Sequence, residues 1–78
     1  MFNFGARLRR IREERGLTQK QFAEKIGSTE RGIRKYEAGD REPAFRVILS
    51  ILDNIDVSAD YLLGRTDTPV SLTSSVRF

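Results

Sequence analysis

Cysteine, histidine and tryptophan are absent from this 78-residue chain, and proline occurs only twice. Without cysteine there is no disulfide framework and no thiolate metal site. With histidine missing as well, the chain lacks the commonest general base, the thiol nucleophile and the usual transition-metal ligands. Glu13 and Glu14 are adjacent, and on a helix they diverge by ~100°, so they cannot face one substrate as an acid and base pair. No glycine-rich loop of P-loop or dinucleotide-binding spacing is present. An enzyme is not expected, and neither a metal nor a cofactor is implied. No apolar run approaches the roughly 18 residues of a membrane span, and the arginine-rich start lacks the apolar core of a secretory signal. A soluble, cytoplasmic protein with no membrane partner is the expectation.

What is present is positive charge, unevenly spread. Residues 1–41 carry eleven Lys or Arg against six Asp or Glu, whereas residues 42–78 carry three against five. A small domain with one basic half points to a polyanionic partner such as nucleic acid, although solvated basic faces are common. At this length one domain is expected, close to the lower limit at which a single core holds a fold without metal or disulfides.

Punctuation divides the chain into five helices. Gly16, Gly27, Gly39 and Gly64 each follow a helical pattern, as left-handed C-terminal caps do. The first helix is predicted from Asn3 or Phe4 to Arg15, with Phe4, Leu8 and Ile11 on its buried stripe and Arg7, Arg9 and Arg10 mostly outside it. The second runs from Gln19 to Ile26: Thr18 caps it, Gln21 completes a capping box, and Leu17 can staple against Phe22. Ser28 or Thr29 caps a third helix ending near Ala38, with Ile33 and Tyr36 as its apolar contacts. Pro43 suits the first turn of a fourth, Ala44 to Asn54, whose Phe45, Ile48, Leu49, Ile51 and Leu52 read as the floor of the core. Ser58 caps a short fifth, Ala59 to Leu63. The fold class is all-α, with a domain over 1–64 and a C-terminal tail over 65–78. The tail is rich in Thr, Ser, Asp and Pro, which favours a flexible end. Val70, Leu72, Val76 and Phe78 alternate with polar residues, broken only by Ser74, and leave a strand or a dimer-associated extension as the alternative.

Between the second and third helices the turn is very short. Ala23 is small enough for one helix to cross close above the other, Gly27 permits the turn, and Ile33 locks the crossing. That arrangement is a helix-turn-helix over about 18–38, although a plain αα-hairpin shares parts of it. The stretches "RLRRIREERGLTQKQFAEKIG", "GIRKYEAGDREP" and "VSADYLLG", spanning residues 7–64, resemble the phage-repressor-like, or Xre/Cro-type, helix-turn-helix domain of bacterial and phage transcription regulators. The resemblance implies a five-helix domain that binds operator DNA as a two-fold dimer with its third helix in the major groove. Two departures bear on helix ends: Ala44 stands where a capping Ser or Thr often follows the proline, and Asp56 where glycine is frequent.

A helical wheel adds an independent reading of the third helix. With Ile33 inward, Arg31, Arg34, Lys35 and Ala38 lie about 100° or more away, on the outer face. Arg or Lys there can pair with guanine O6 and N7, and Ala38 can touch a thymine methyl. Glu30, at the wheel's edge, either accepts from cytosine N4 or simply favours the helix dipole. Gly32 weakens the helix by ~1 kcal/mol relative to Ala, which fits close approach of DNA to an outward flank or else a tolerated defect. Phosphate contacts are expected from Gln19, which the resemblance favours most, and from Lys20, Thr29 and Arg41. An ion pair between Arg12 and Glu37 is expected from their inward angles and from the resemblance, leaving Arg12 near a phosphate.

The function expected is therefore that of a sequence-specific, double-stranded DNA-binding transcriptional regulator, bacterial or phage-encoded, repressing as a homodimer on a palindromic operator. Dimer contacts are expected within residues 55–63, helped by the tail. Two rivals stand beside it. An antitoxin-like protein-interaction module needs an exposed apolar patch, which only the tail offers on this reading. An RNA-binding domain needs exposed aromatics for base stacking, and Tyr36 is claimed by the core.

Overall fold

The computed structural model describes residues 1–69. Five helices follow one another: α1 (Phe4–Glu14), α2 (Gln19–Ile26), α3 (Glu30–Ala38), α4 (Phe45–Asn54) and α5 (Ala59–Leu62). No strand occurs among the described residues. The expected tail strand at Val70, Leu72, Val76 and Phe78 lies outside them. None of the helices is long and apolar enough to cross a membrane.

Local chemistry accounts for most helix ends. Asn3, Thr18, Thr29 and Ser58 each cap a helix by accepting from a backbone N–H three residues on. At α2 the box is reciprocal, with the Thr18 N–H donating to Gln21 Oε1 at 2.9 Å. Satisfying two otherwise orphaned donors in this way sets where α2 begins. Gly27 closes it at φ +70°, a left-handed conformation that a Cβ would strain. Ala44, not Pro43, is the N-cap of α4 and makes no side-chain bond there. Among the described residues none but glycine has positive φ, so Asp56 fills its position without left-handed strain.

The core joins Leu8 and Ile11 of α1, Phe22, Ala23 and Ile26 of α2, and Ile33 and Tyr36 of α3 with Ile51, Ile55, Tyr61 and Leu62. α3 rests on α1 and α2, α2 also packs on α4, and α5 packs on α1. At the α1–α3 crossing, a Cβ on Gly5 would lie 2.5 Å from the Tyr36 carbonyl oxygen and 2.6 Å from that of Glu37. Only a bare Cα fits there, so the backbones of α1 and α3 meet without a spacer.

Three expectations change. Of the apolar residues in α4, only Ile51 is fully buried; Ile48 and Leu52 are partly buried, and Phe45 and Leu49 are 75% and 43% exposed. α4 is a flank of the core, because a single ten-residue helix buries only the face it turns to α2, and its apolar residues extend beyond that face. Arg7 lies inside, at 9% exposure. Its guanidinium sits 4.2 Å from the Tyr61 ring centroid and donates to the carbonyls of Tyr61 and Thr66 and to Asp67 Oδ1. Such bonding is what permits a charge to be buried. Gly32 is also buried, not on an outward flank: its Cβ position faces Thr29 Oγ1 at 3.1 Å and Ser28 Oγ at 3.4 Å. The turn preceding α3 folds over that side of the helix, so close approach of DNA does not explain this glycine.

Candidate nucleic-acid interface

The third helix is held from behind by a polar network. Arg12 donates from Nε to Glu37 Oε2 at 2.7 Å and from Nη2 to Glu37 Oε1 at 3.0 Å, a bidentate pair. Its Nη1 donates to the Leu17 carbonyl at 2.8 Å, tying the same guanidinium to the loop before α2. Gln19 completes the network, its Nε2 donating to Glu37 Oε1 at 3.1 Å. The Arg12 and Glu37 side chains are only 12% and 5% exposed. The hydrogen bond to Glu37 raises the Arg12 pKa further above its already high ordinary value, and burial opposes it. Buried pairs of this kind add little net stability against apolar replacements; their effect here is angular. One carboxylate joins α1, the start of α2 and the last turn of α3, which sets the direction in which α3 projects. Three of the five N–H donors of Arg12 are engaged, so two remain for a ligand oxygen.

Outward from this network, Arg12, Gln19, Arg31, Arg34, Lys35 and Ala38, six of the residues expected to touch DNA, line two adjoining clefts. A notch at the junction of α1, α2 and α3, about 410 Å³, is lined by Arg9, Arg12, Gln19, Arg34, Glu37 and Ala38. A second cleft along α3, about 270 Å³, is lined by Arg31, Arg34, Lys35, Ala38 and Asp40. Arg34 and Ala38 belong to both. Arg31, Arg34 and Ala38 are exposed and Lys35 is half-buried. Glu30 is exposed at the start of α3, 3.4 Å from Arg34 Nη2. Thr29 is exposed too, with its Oγ1 accepting from the Gly32 N–H as the N-cap; the hydroxyl proton stays available to a phosphate. Lys20 and Arg41 are exposed and line neither cleft.

Arg9 and Asp40 were not among the residues expected here. Arg9 stands three positions before Arg12, a spacing that puts both on one side of α1, so the signal was present. Asp40 lies beyond the helix, in the turn where its N–H donates to the Lys35 carbonyl at 2.9 Å, and helical periodicity does not extend to it. Gly5 left no sequence signal, since its role depends on which helix crosses it.

A family model described as helix-turn-helix matches residues 8–62. The chain belongs to the helix-turn-helix family. Its similarity to individual members agrees. It is 40% identical over 60 residues to the HTH-type transcriptional regulator YqaE of Bacillus subtilis, covering 77% of this chain and 52% of that one. The HTH-type transcriptional regulator ImmR of the same organism is 35% identical over 65 residues, covering 83% and 51%. The cryptic phage CTXphi transcriptional repressor RstR of Vibrio cholerae is 36% identical over 62 residues, covering 80% and 55%. This helix-turn-helix chain thus spans about half the length of these curated relatives. Among solved structures, the restriction-modification controller protein C.AhdI of Aeromonas hydrophila superposes with a TM-score of 0.72 at 30% identity, over 77% of this chain and 91% of that one.

Proposed function

We propose that this chain is a sequence-specific, double-stranded DNA-binding transcriptional regulator that represses as a homodimer on a palindromic operator. The observation that carries the reading is the geometry of α3. Its outer face presents Arg31, Arg34, Lys35 and Ala38, while the Arg12–Glu37–Gln19 network and the bare crossing at Gly5 fix its angle. A rigidly held helix with guanidinium and ammonium groups outward suits the major groove, where such groups pair with guanine O6 and N7. Gln19, Arg12, Thr29, Lys20, Arg41 and also Arg9 ring that helix, and they suit phosphate contacts that position without reading sequence. The names of the relatives, regulators and one repressor, support transcriptional control.

A single copy reaches one half-site, and two copies must place their α3 helices ~34 Å apart. Within the 55–63 segment, Ile55, Tyr61 and Leu62 are spent on the core. Among the described residues the exposed large apolar side chains are Met1, Phe2, Leu63 and, four residues apart on one face of α4, Phe45 and Leu49. The same exposure gives the protein-interaction reading a patch that does not depend on the tail.

Selection from random duplex DNA, with the mass of the complex measured, tests this function. A two-fold motif bound by two chains is the expected result. Retention of no motif, or of single strands in preference to duplex, would remove the reading.

A further inference from the structure

The cations of α3 are not equivalent in the free protein. Among the described residues Arg31 and Lys35 make no ion pair, whereas Arg34 lies 3.4 Å from Glu30, one turn back on the same helix. Both partners are largely solvated, so the pair is weak by itself and easily exchanged. Its direction is what matters. Arg34 lines both the notch beside Gln19 and the cleft beside Arg31 and Lys35, so its guanidinium can lie along a phosphate or turn toward the groove. Glu30 is the first residue of α3, and in a helix-turn-helix the N-terminal part of this helix meets the base edges. The carboxylate therefore draws the guanidinium toward the N-terminal end of α3, the part of the helix that faces the bases. It also places a negative charge where any duplex brings its phosphates, a repulsion that operator and unmatched duplex share.

Resting on the DNA-binding reading above, we propose that Glu30 is a specificity-determining residue that acts by positioning Arg34. It holds the guanidinium toward the base edges, where only a matched duplex gives it a partner. Glu30 does not itself need to touch a base.

The test uses the 78-residue chain, its selected operator and a scrambled duplex of equal length, titrated at several salt concentrations. Glu30→Gln keeps the side chain's size and leaves the Thr29 cap in place, and a melting curve checks its fold. The variant is expected to bind scrambled duplex about two- to fivefold more tightly while gaining less on the operator, so the ratio between them falls. Repeated selection should relax at the base position that Arg34→Ala also relaxes. Adding Glu30→Gln to Arg34→Ala should then change the ratio no further, because the residue it positions is gone. An unchanged ratio in Glu30→Gln would overturn the proposal. So would equal, independent effects in the double variant, or loss of preference at a different, cytosine-bearing position, which would mean direct readout by Glu30. A wild-type chain that does not distinguish operator from scrambled duplex fails one step earlier and removes the DNA-binding reading along with the proposal.

Discussion

Gly5→Ala is the smallest change that should move the recognition helix. The added carbon would stand 2.5 Å from the Tyr36 oxygen, 2.6 Å from the Glu37 oxygen and 2.9 Å from the Glu37 carbonyl carbon, all backbone atoms of α3. Normal contact for such pairs is nearer 3.4 Å, so the helices must part by roughly 1 Å, and no rotamer change relieves the overlap. Overpacking of this kind costs about 1 to 3 kcal/mol, against which Ala returns at most ~1 kcal/mol of helix propensity. The net expectation is a loss of about 1 to 2 kcal/mol, which for a domain of this size lowers Tm by roughly 5 to 15 °C. Operator affinity measured well below Tm should fall further than the unfolded fraction explains, because Glu37, which orients Arg12 and Gln19, sits at the displaced turn. Circular dichroism melting and an operator titration on the same sample supply both numbers. A variant that melts at or above the wild type and binds equally well would refute the tight crossing.

Further variants probe the network and the core. Glu37→Ala leaves Arg12 largely buried without its partner, and a loss of about 3 kcal/mol is expected in denaturant unfolding, together with weaker binding to every duplex. Tyr61→Phe removes a buried hydroxyl that has no hydrogen-bond partner among the described residues, keeps the ring against Arg7, and should raise Tm by a few degrees, a gain of about 1 kcal/mol. Gly32→Ala should shift stability by less than ~1 kcal/mol and leave the selected motif unchanged, with at most a small, sequence-independent loss of affinity, because the new methyl crowds the Thr29 and Ser28 hydroxyls and meets no base-reading side chain.

The features legible in the sequence are those whose causes are local. The Thr18 box, the Thr29 cap and the left-handed Gly27 each depend on residues within one turn, and the helix bounds they imply match the structure within a residue or two. The wheel through Ile33 separates Tyr36 and Ile33 from Arg31, Arg34 and Ala38 because one periodicity governs the whole of α3. Arg7 was not legible, since what permits its burial is a set of carbonyls and a carboxylate 54 to 60 positions away. Gly5 and Gly32 look alike in the sequence, and only the helix crossing distinguishes one that meets backbone from one that meets flexible hydroxyls. For α4, composition shows five large apolar residues but not which of them find a neighbour. Phe45 and Leu49 project away from α2, and the pattern carries no mark of that.

The central claim is that the outer face of α3 reads bases while the residues around it grip the backbone, and paired selections from random duplex DNA test it most directly. With Arg31→Ala, the account predicts that preference disappears at one base position in each half-site. With Arg41→Ala, the whole motif should survive at lower affinity, with the logarithmic salt dependence reduced by about one per chain. An Arg31→Ala chain that selects the unaltered motif, or an Arg41→Ala chain that loses it, would contradict the account.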